Sequence, residues 1–118
     1  MHRILLVEDE EAVARALERW LKRRKVEVRV LLDPTEVGAA LADFAPTIVV
    51  TDLHMPARSG LEVLAEVKDK APNAIRALLS GSLQSLPAKD LLDLQPLRLI
   101  AKPWNTATLA RDLGLDDA

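Results

Sequence analysis

Thr47-Ile48-Val49-Val50-Thr51-Asp52-Leu53-His54-Met55-Pro56 is the stretch that decides the fold. Ile48, Val49 and Val50 are β-branched or branched and apolar, the composition of a short strand buried on both faces. The run stops at an acid, Asp52. Met55-Pro56 and then Ser59-Gly60 break the pattern and lead into a helix. One carboxylate is thus presented at the carboxyl end of a central strand, the edge of an open α/β sheet where ligands bind.

The same alternation extends in both directions. Ile4-Leu5-Leu6-Val7 reads as a buried strand, followed by the acids Glu8 to Glu11. Val13, Ala16, Leu17, Trp20 and Leu21 recur at helical spacing, opposite Arg15, Glu18, Arg19 and Lys22. Val26, Val28 and Val30 alternate with Glu27 and Arg29, which predicts a half-buried edge strand. Asp33-Pro34 opens a short helix that Pro46 ends. Beyond the central strand, Leu61, Leu64 and Val67 mark a helix from about Ser59 to Lys70. Ala74 to Leu79 reads as a strand weakened by Arg76. A leucine-rich helix is expected over Ser85 to Leu94, a fifth strand over Leu97 to Ala101, and a last helix from Thr106 to Leu113, stopped by Gly114. Strand then helix, repeated along the whole chain, implies an α/β fold with a parallel sheet covered on both faces.

The chain has 118 residues, which fits one domain spanning 1–118, with 114–118 read as a frayed end or the start of a linker. It contains no cysteine and only two histidines, His2 and His54, so thiolate chemistry and a histidine-rich zinc site are excluded. A net charge of −2 gives no basic block suited to direct nucleic-acid contact. The dense run Lys22 to Lys25 reads as charge that suits a helix C-terminus. No apolar run reaches membrane-spanning length, and the apolar stretch Ile4 to Val7 is too short for a signal peptide. The expectation is a cytoplasmic protein without membrane contact.

Chemistry collects at the strand ends. Strand one ends at Glu8-Asp9, strand three at Asp52, strand four at Ser80 and strand five at Lys102. Parallel strands bring these ends to one edge, so three carboxylates, a hydroxyl and an ammonium converge. Acids this close repel unless a cation joins them, and an all-oxygen, open site suits Mg²⁺. A carboxylate can act as a nucleophile toward phosphorus. The cation, Lys102 and Ser80 are the parts that stabilise a transferring phosphoryl group. Taken singly, each residue has a plainer role: Asp52 as a turn former, Glu8-Asp9 as a helix cap, Ser80-Gly81 as a turn, Lys102 as a surface lysine. Their joint placement at four strand ends favours the chemical reading.

With these motifs in order, the sequence resembles the receiver domain of two-component response regulators over essentially its whole length. The resemblance rests on Glu8-Asp9, on Asp52 with Met55-Pro56 and Gly60, on Ser80-Gly81 and on Lys102-Pro103. It implies a flavodoxin-like, doubly wound (βα)5 fold with a five-stranded parallel sheet in the order 2-1-3-4-5. It further implies that Asp52 takes a phosphoryl group from the phosphohistidine of a sensor histidine kinase or a phosphotransfer protein. Mg²⁺ would be held by Asp9, Asp52 and the main-chain carbonyl of His54, with Glu8 acting through water. Ser80 and Lys102 would contact the phosphoryl oxygens, and the Lys102-Pro103 bond is expected to be cis. His54 and Ser82 lie at the mouth of the site as candidates for modulating phosphate lifetime. The resemblance also implies a switch in which an aromatic residue on strand five follows Ser80 inward. Here that position is Leu99, a departure from the family pattern. Trp104 is a candidate substitute, or else an apolar anchor for the last helix. The leucines from Leu86 to Leu99 are expected to be mostly core. The face of helix four, strand five and helix five is the expected surface for a homodimer or an output domain.

Three other functions fit part of the pattern. A haloacid-dehalogenase-type phosphatase also uses a strand-end Asp, Mg²⁺, Ser/Thr and Lys, but such enzymes usually carry a second acid two residues on, where this chain has His54. A flavodoxin needs a phosphate-cradling loop after strand one, and that loop here is acidic and lacks glycine. A receiver that binds partners without being phosphorylated would not need the intact acids, Ser80 and Lys102. The reading is a switch rather than an enzyme, catalysing only its own phosphoryl transfer and dephosphorylation.

Overall fold

The computed structural model describes residues 2–115; of the stretch expected to begin a linker, 116–118 lie outside the described residues. The chain runs β1 (Arg3–Val7), α1 (Glu11–Lys22), β2 (Glu27–Leu31), α2 (Val37–Phe44), β3 (Ile48–Asp52), α3 (Gly60–Lys70), β4 (Ile75–Ser80), α4 (Ala88–Asp93), β5 (Leu97–Ala101) and α5 (Thr106–Asp112). Five parallel strands form one sheet in the order β2-β1-β3-β4-β5. This is the flavodoxin-like arrangement, with the valine-rich β2 at an edge.

Side-chain alternation along the inner strands builds two cores from one sheet. Ile4, Leu6, Ile48, Val50, Ala77 and Leu79 face α1 and α5, where they meet Leu17, Leu21 and Leu109. Leu5, Val7, Val49 and Leu78 face the other way, against Val37, Leu41, Val63 and Leu64 of α2 and α3. All ten strand residues are fully buried. Each aliphatic side chain so buried contributes about 1.5–3 kcal/mol, which is why Ile4–Val7 of β1 and Ile48–Val50 of β3 are apolar without a break. Among the described residues no helix is long and apolar enough to cross a membrane.

Three local expectations are corrected. On α1 the buried residues are Ala14, Leu17 and Leu21, whereas Ala16 is exposed and Val13 and Trp20 are half-buried. A small residue at 14 lets the helix sit close to the sheet, and this turns Ala16 outward. The α4 helix is shorter than the leucine pattern suggested. A 3-10 turn spans Leu83–Ser85, Leu86 and Pro87 are extended, and the helix begins at Ala88. Pro87 imposes this, because its ring disfavours helical backbone at the preceding residue. Most of the leucines from 86 to 99 are not core: Leu94 is buried, Leu86 and Leu97 are partly buried against it, and Leu92 and Leu99 are exposed. At the end of α2 the chain leaves the helix through Ala45 in the left-handed region, one residue before Pro46.

The start of α3 fixes the end of β3. Ser59 and Glu62 form a reciprocal capping box, and the Gly60 N–H donates to the Leu53 carbonyl at 2.8 Å. A β-carbon at Gly60 would lie 2.2 Å from the Asp52 carbonyl oxygen and 2.9 Å from Leu78. Only glycine allows the helix this approach. Gly60→Ala is expected to destabilise the chain by about 1–3 kcal/mol, read as a lower urea midpoint with an unchanged slope. Further along α3, Glu66 accepts from Lys70 at 2.6 Å and Arg58 at 2.5 Å. Hydrogen bonds from Lys70 and then Arg58 hold its carboxyl below its ordinary value of 4.5. Its contribution is therefore present above that value and lost as pH falls through the lowered one. Glu66→Gln should cost about 0.5–1 kcal/mol at neutral pH, with the difference disappearing in acid; urea titrations across that range check it.

Candidate functional site

The sheet register carries the four sequence motifs to one edge. Asp52 is the last residue of β3 and Ser80 the last of β4. Glu8 follows β1 and stays in the ladder, its N–H donating to the Leu31 carbonyl at 3.1 Å. Lys102 follows β5 in the same way, donating its N–H to the Ser80 carbonyl at 3.0 Å. The Lys102-Pro103 peptide is cis.

One carboxylate oxygen from each of Glu8, Asp9 and Asp52 lies within 4.8 Å of the others. The Lys102 ammonium reaches between them, 2.6 Å from Asp52 Oδ1 and 3.4 Å from Glu8 Oε1. Glu8 is 1% exposed and Asp52 8%. Burial pushes the Glu8 carboxyl above its usual range, and the neighbouring Asp52 charge adds to this against the Glu10 N–H and Lys102. Burial alone would lower the Lys102 ammonium, but its hydrogen bond to Asp52 and the charges of Glu8 and Asp52 outweigh it and hold the pKa above the ordinary value. The donor set is entirely carboxylate oxygen, hard and partly open through Asp9, a fit for a hard divalent cation. The plainer role for Glu8-Asp9 is not what the structure has: Glu10 occupies the N-cap of α1, without a side-chain cap bond.

Ser80 is buried at 2% exposure on the next strand. Its Oγ accepts from the Ser82 N–H at 3.0 Å and pairs with Ser82 Oγ at 3.2 Å. His54 is exposed and Ser82 half-buried. Leu99 projects from β5 at 38% exposure. Trp104 is half-buried against the α1–α5 core, just ahead of α5. With Pro103 it also borders an apolar groove of about 590 Å³ whose opposite wall is Ala12, Val13 and Ala16. The outward turn of Ala16, missed in the sequence, forms that wall.

Arg76 is the residue most misread in the sequence. It does not weaken β4. It is 2% exposed, and its guanidinium donates to the carbonyls of Leu94 (3.1 Å), Gln95 (3.1 Å), Pro72 (3.2 Å) and Ala74 (3.5 Å). The signal was available: an arginine inside an apolar strand must find acceptors, because a buried charge without them is too costly.

The sequence profile of the response regulator receiver domain matches residues 4–113. The chain belongs to this family, the receiver domains of response regulators in two-component signalling. An uncharacterized transcriptional regulatory protein, YkoG of Bacillus subtilis (strain 168), is 33% identical over 107 residues, covering 90% of this chain and 46% of that protein. The chain therefore spans about half the length of that relative. Among solved structures, chemotaxis protein CheY4 of Vibrio cholerae is 20% identical with a TM-score of 0.87, covering 97% of each chain. The signal receiver domain of an HD domain-containing protein from Pseudomonas fluorescens Pf-5 also has a TM-score of 0.87, at 24% identity, covering 96% of this chain and 91% of that one. Response regulator TrrA of Thermotoga maritima, crystallised in complex with Mg²⁺-BeF, has a TM-score of 0.85 at 24% identity, covering 97% of each chain. These structural likenesses establish the fold.

Lys102 offsets the repulsion among the acids. Lys102→Met is expected to lower the thermal midpoint in chelator, more at low than at high ionic strength because salt screens the exposed part of the cluster. A loss independent of salt would show that lysine's packing, not its charge, is what matters.

Proposed function

We propose that Asp52 is the phospho-acceptor of a two-component switch, and that the chain as a whole, 1–118, acts as a single receiver. The observation that carries this reading is the Asp52 carboxylate itself: at the end of the central strand, within 4.8 Å of two further acids and 2.6 Å from an ammonium. An Asp52 carboxylate oxygen attacks the phosphorus of a phosphohistidine borne by a sensor histidine kinase or a phosphotransfer protein. A phosphorus–oxygen bond forms, the phosphorus–nitrogen bond breaks, and the electron pair returns to the imidazole. Lys102 and Ser80 contact the phosphoryl oxygens, supplying a positive charge and a hydroxyl donor where negative charge collects.

Asp9, Asp52 and the main-chain carbonyl of His54 would hold Mg²⁺, with Glu8 acting through water. The ion would offset the charge shared between carboxylates and phosphoryl group. The chain is not an enzyme toward other substrates; its chemistry is confined to its own phosphorylation and the hydrolysis that ends it. His54 and Ser82, at the mouth, modulate access of water and so the lifetime of the acyl phosphate. The output is carried by the face of α4, β5 and α5, which presents Leu92 and Leu99 to a second copy or an output domain. Leu99 and Trp104 are its candidate switch residues.

Intact mass after incubation with Mg²⁺ and a small-molecule phosphodonor tests the reading. The parent should gain one phosphoryl group and lose it again once the donor is removed, and Asp52→Asn should gain none. Equal gain by both proteins, or none by the parent at any Mg²⁺ concentration, overturns it.

A further inference from the structure

The sheet edge formed by β2 is straight and unblunted. β2 is the outermost strand, paired with β1 in an unbroken register from Glu27 to Leu31. The Glu27 N–H donates to the His2 carbonyl at 3.2 Å, and the Leu31 carbonyl accepts from the Glu8 N–H at 3.1 Å. Residues 27, 29 and 31 therefore turn their main-chain groups inward. By the alternation of a strand, Val28 and Val30 turn theirs outward, where the sheet has no further strand. Such edges are ordinarily blunted by lysine, proline or a bulge. The run Val26-Glu27-Val28-Arg29-Val30-Leu31-Leu32 contains none of these. Its two faces differ. On the α1 side, Val26, Val28, Val30 and Leu32 form a stripe with Trp20, all only partly buried against the core. On the other side stand Glu27 and Arg29, which pair with Arg3 and Asp43 yet remain 53% and 41% exposed.

We propose that β2 is a pairing edge for a second copy of this chain, joined antiparallel about a two-fold axis through Val28. Charge complementarity selects both the occupant and the register. With the axis at Val28, the outward main-chain groups of Val28 meet those of Val28 in the second copy, and Val30 meets Val26. Glu27 then lies opposite Arg29 of the second copy, and Arg29 opposite its Glu27. These are the non-hydrogen-bonded positions, where Cα atoms approach to about 4.5 Å and side chains are closest. An axis through Arg29 would instead set two guanidiniums against each other, and one through Val30 would bring Glu27 towards Asp33. The flanks agree: the chain is basic just before β2 (Arg23, Lys25) and acidic just after it (Asp33, Glu36), so antiparallel pairing brings each flank to its opposite. The valine stripes of the two copies become continuous on the α1 side. β2 lies at the far edge of the sheet from β5, so the α4–β5–α5 face stays open in both copies. The two Asp52 residues come to lie on opposite edges of the joined sheet, and the pairing does not depend on their chemistry.

Sedimentation equilibrium of the whole chain, without any phosphodonor, tests this over about 1 μM to 1 mM, the range in which a small edge-to-edge interface dissociates. The parent should pass from monomer to dimer within it. Val28→Pro removes an outward N–H and no bond of the sheet, so it should keep the circular dichroism of the parent and remain a monomer. Glu27→Arg and Arg29→Glu each set like charges opposite one another, and each alone should weaken dimerisation at least about tenfold. Mixed together, the two single variants should pair again, because every contact between them is then of opposite sign. The Glu27→Arg, Arg29→Glu double variant should pair with itself for the same reason. A parent that stays monomeric throughout overturns the proposal. So does a dimer indifferent to Val28→Pro, which must use another face, and so do single charge variants that remain apart when mixed.

Discussion

Like charge at close range is the constraint on which the rest of the structure depends. Three carboxylates within 4.8 Å of one another, two of them buried, would drive their strands apart without a cation among them. The Lys102 ammonium supplies it from the far side of the sheet. For the lysine to arrive there, β5 must pair with β4 in a register that places Lys102 beside Ser80, and β4 must in turn flank β3. The order β2-β1-β3-β4-β5 is thus also an order of charges: acids on β1 and β3, hydroxyl on β4, ammonium after β5.

Gly60 and Arg76 hold this edge in place from opposite directions. The first removes a side chain so that α3 can close against the last carbonyl of β3, with a capping box to fix its start. The second spends a buried charge on main-chain carbonyls, tying the connection before β5 to the body of β4. Neither residue touches the carboxylates. Both decide where the strands that carry them end.

What the sequence made legible was whatever one residue type determines locally. Ile4 to Val7 and Ile48 to Val50 are apolar without interruption because both faces of their strands are covered, and the acids that end them are unmistakable against that background. The edge character of β2 was visible in its alternation. Less legible was anything decided by how elements pack. Ala14 and Ala16 are the same residue type two positions apart, and only the helix's approach to the sheet determines which is buried. The leucines between 86 and 99 suggested core, but Pro87 cuts their helix short and leaves too little of it to cover them. Arg76 looked like a flaw in a strand because its acceptors lie up to nineteen residues away, in carbonyls that no side-chain pattern reveals. At the site, residue identities were readable; that Lys102 bridges Asp52 and Glu8 rather than standing apart needed the fold.

The sparse burial of α4 has a consequence for how such a chain can change over time. Folding stability resides in the two cores on either face of β1, β3 and β4, and a helix with no buried residue adds little to it. Substitutions on its surface therefore leave the fold nearly untouched, while each one alters the face offered to whatever binds there. The acids and the lysine are fixed by one another, but 88–93 are free to drift. A duplicated copy of this chain could acquire a new partner through that helix alone, keeping its chemistry and its core intact.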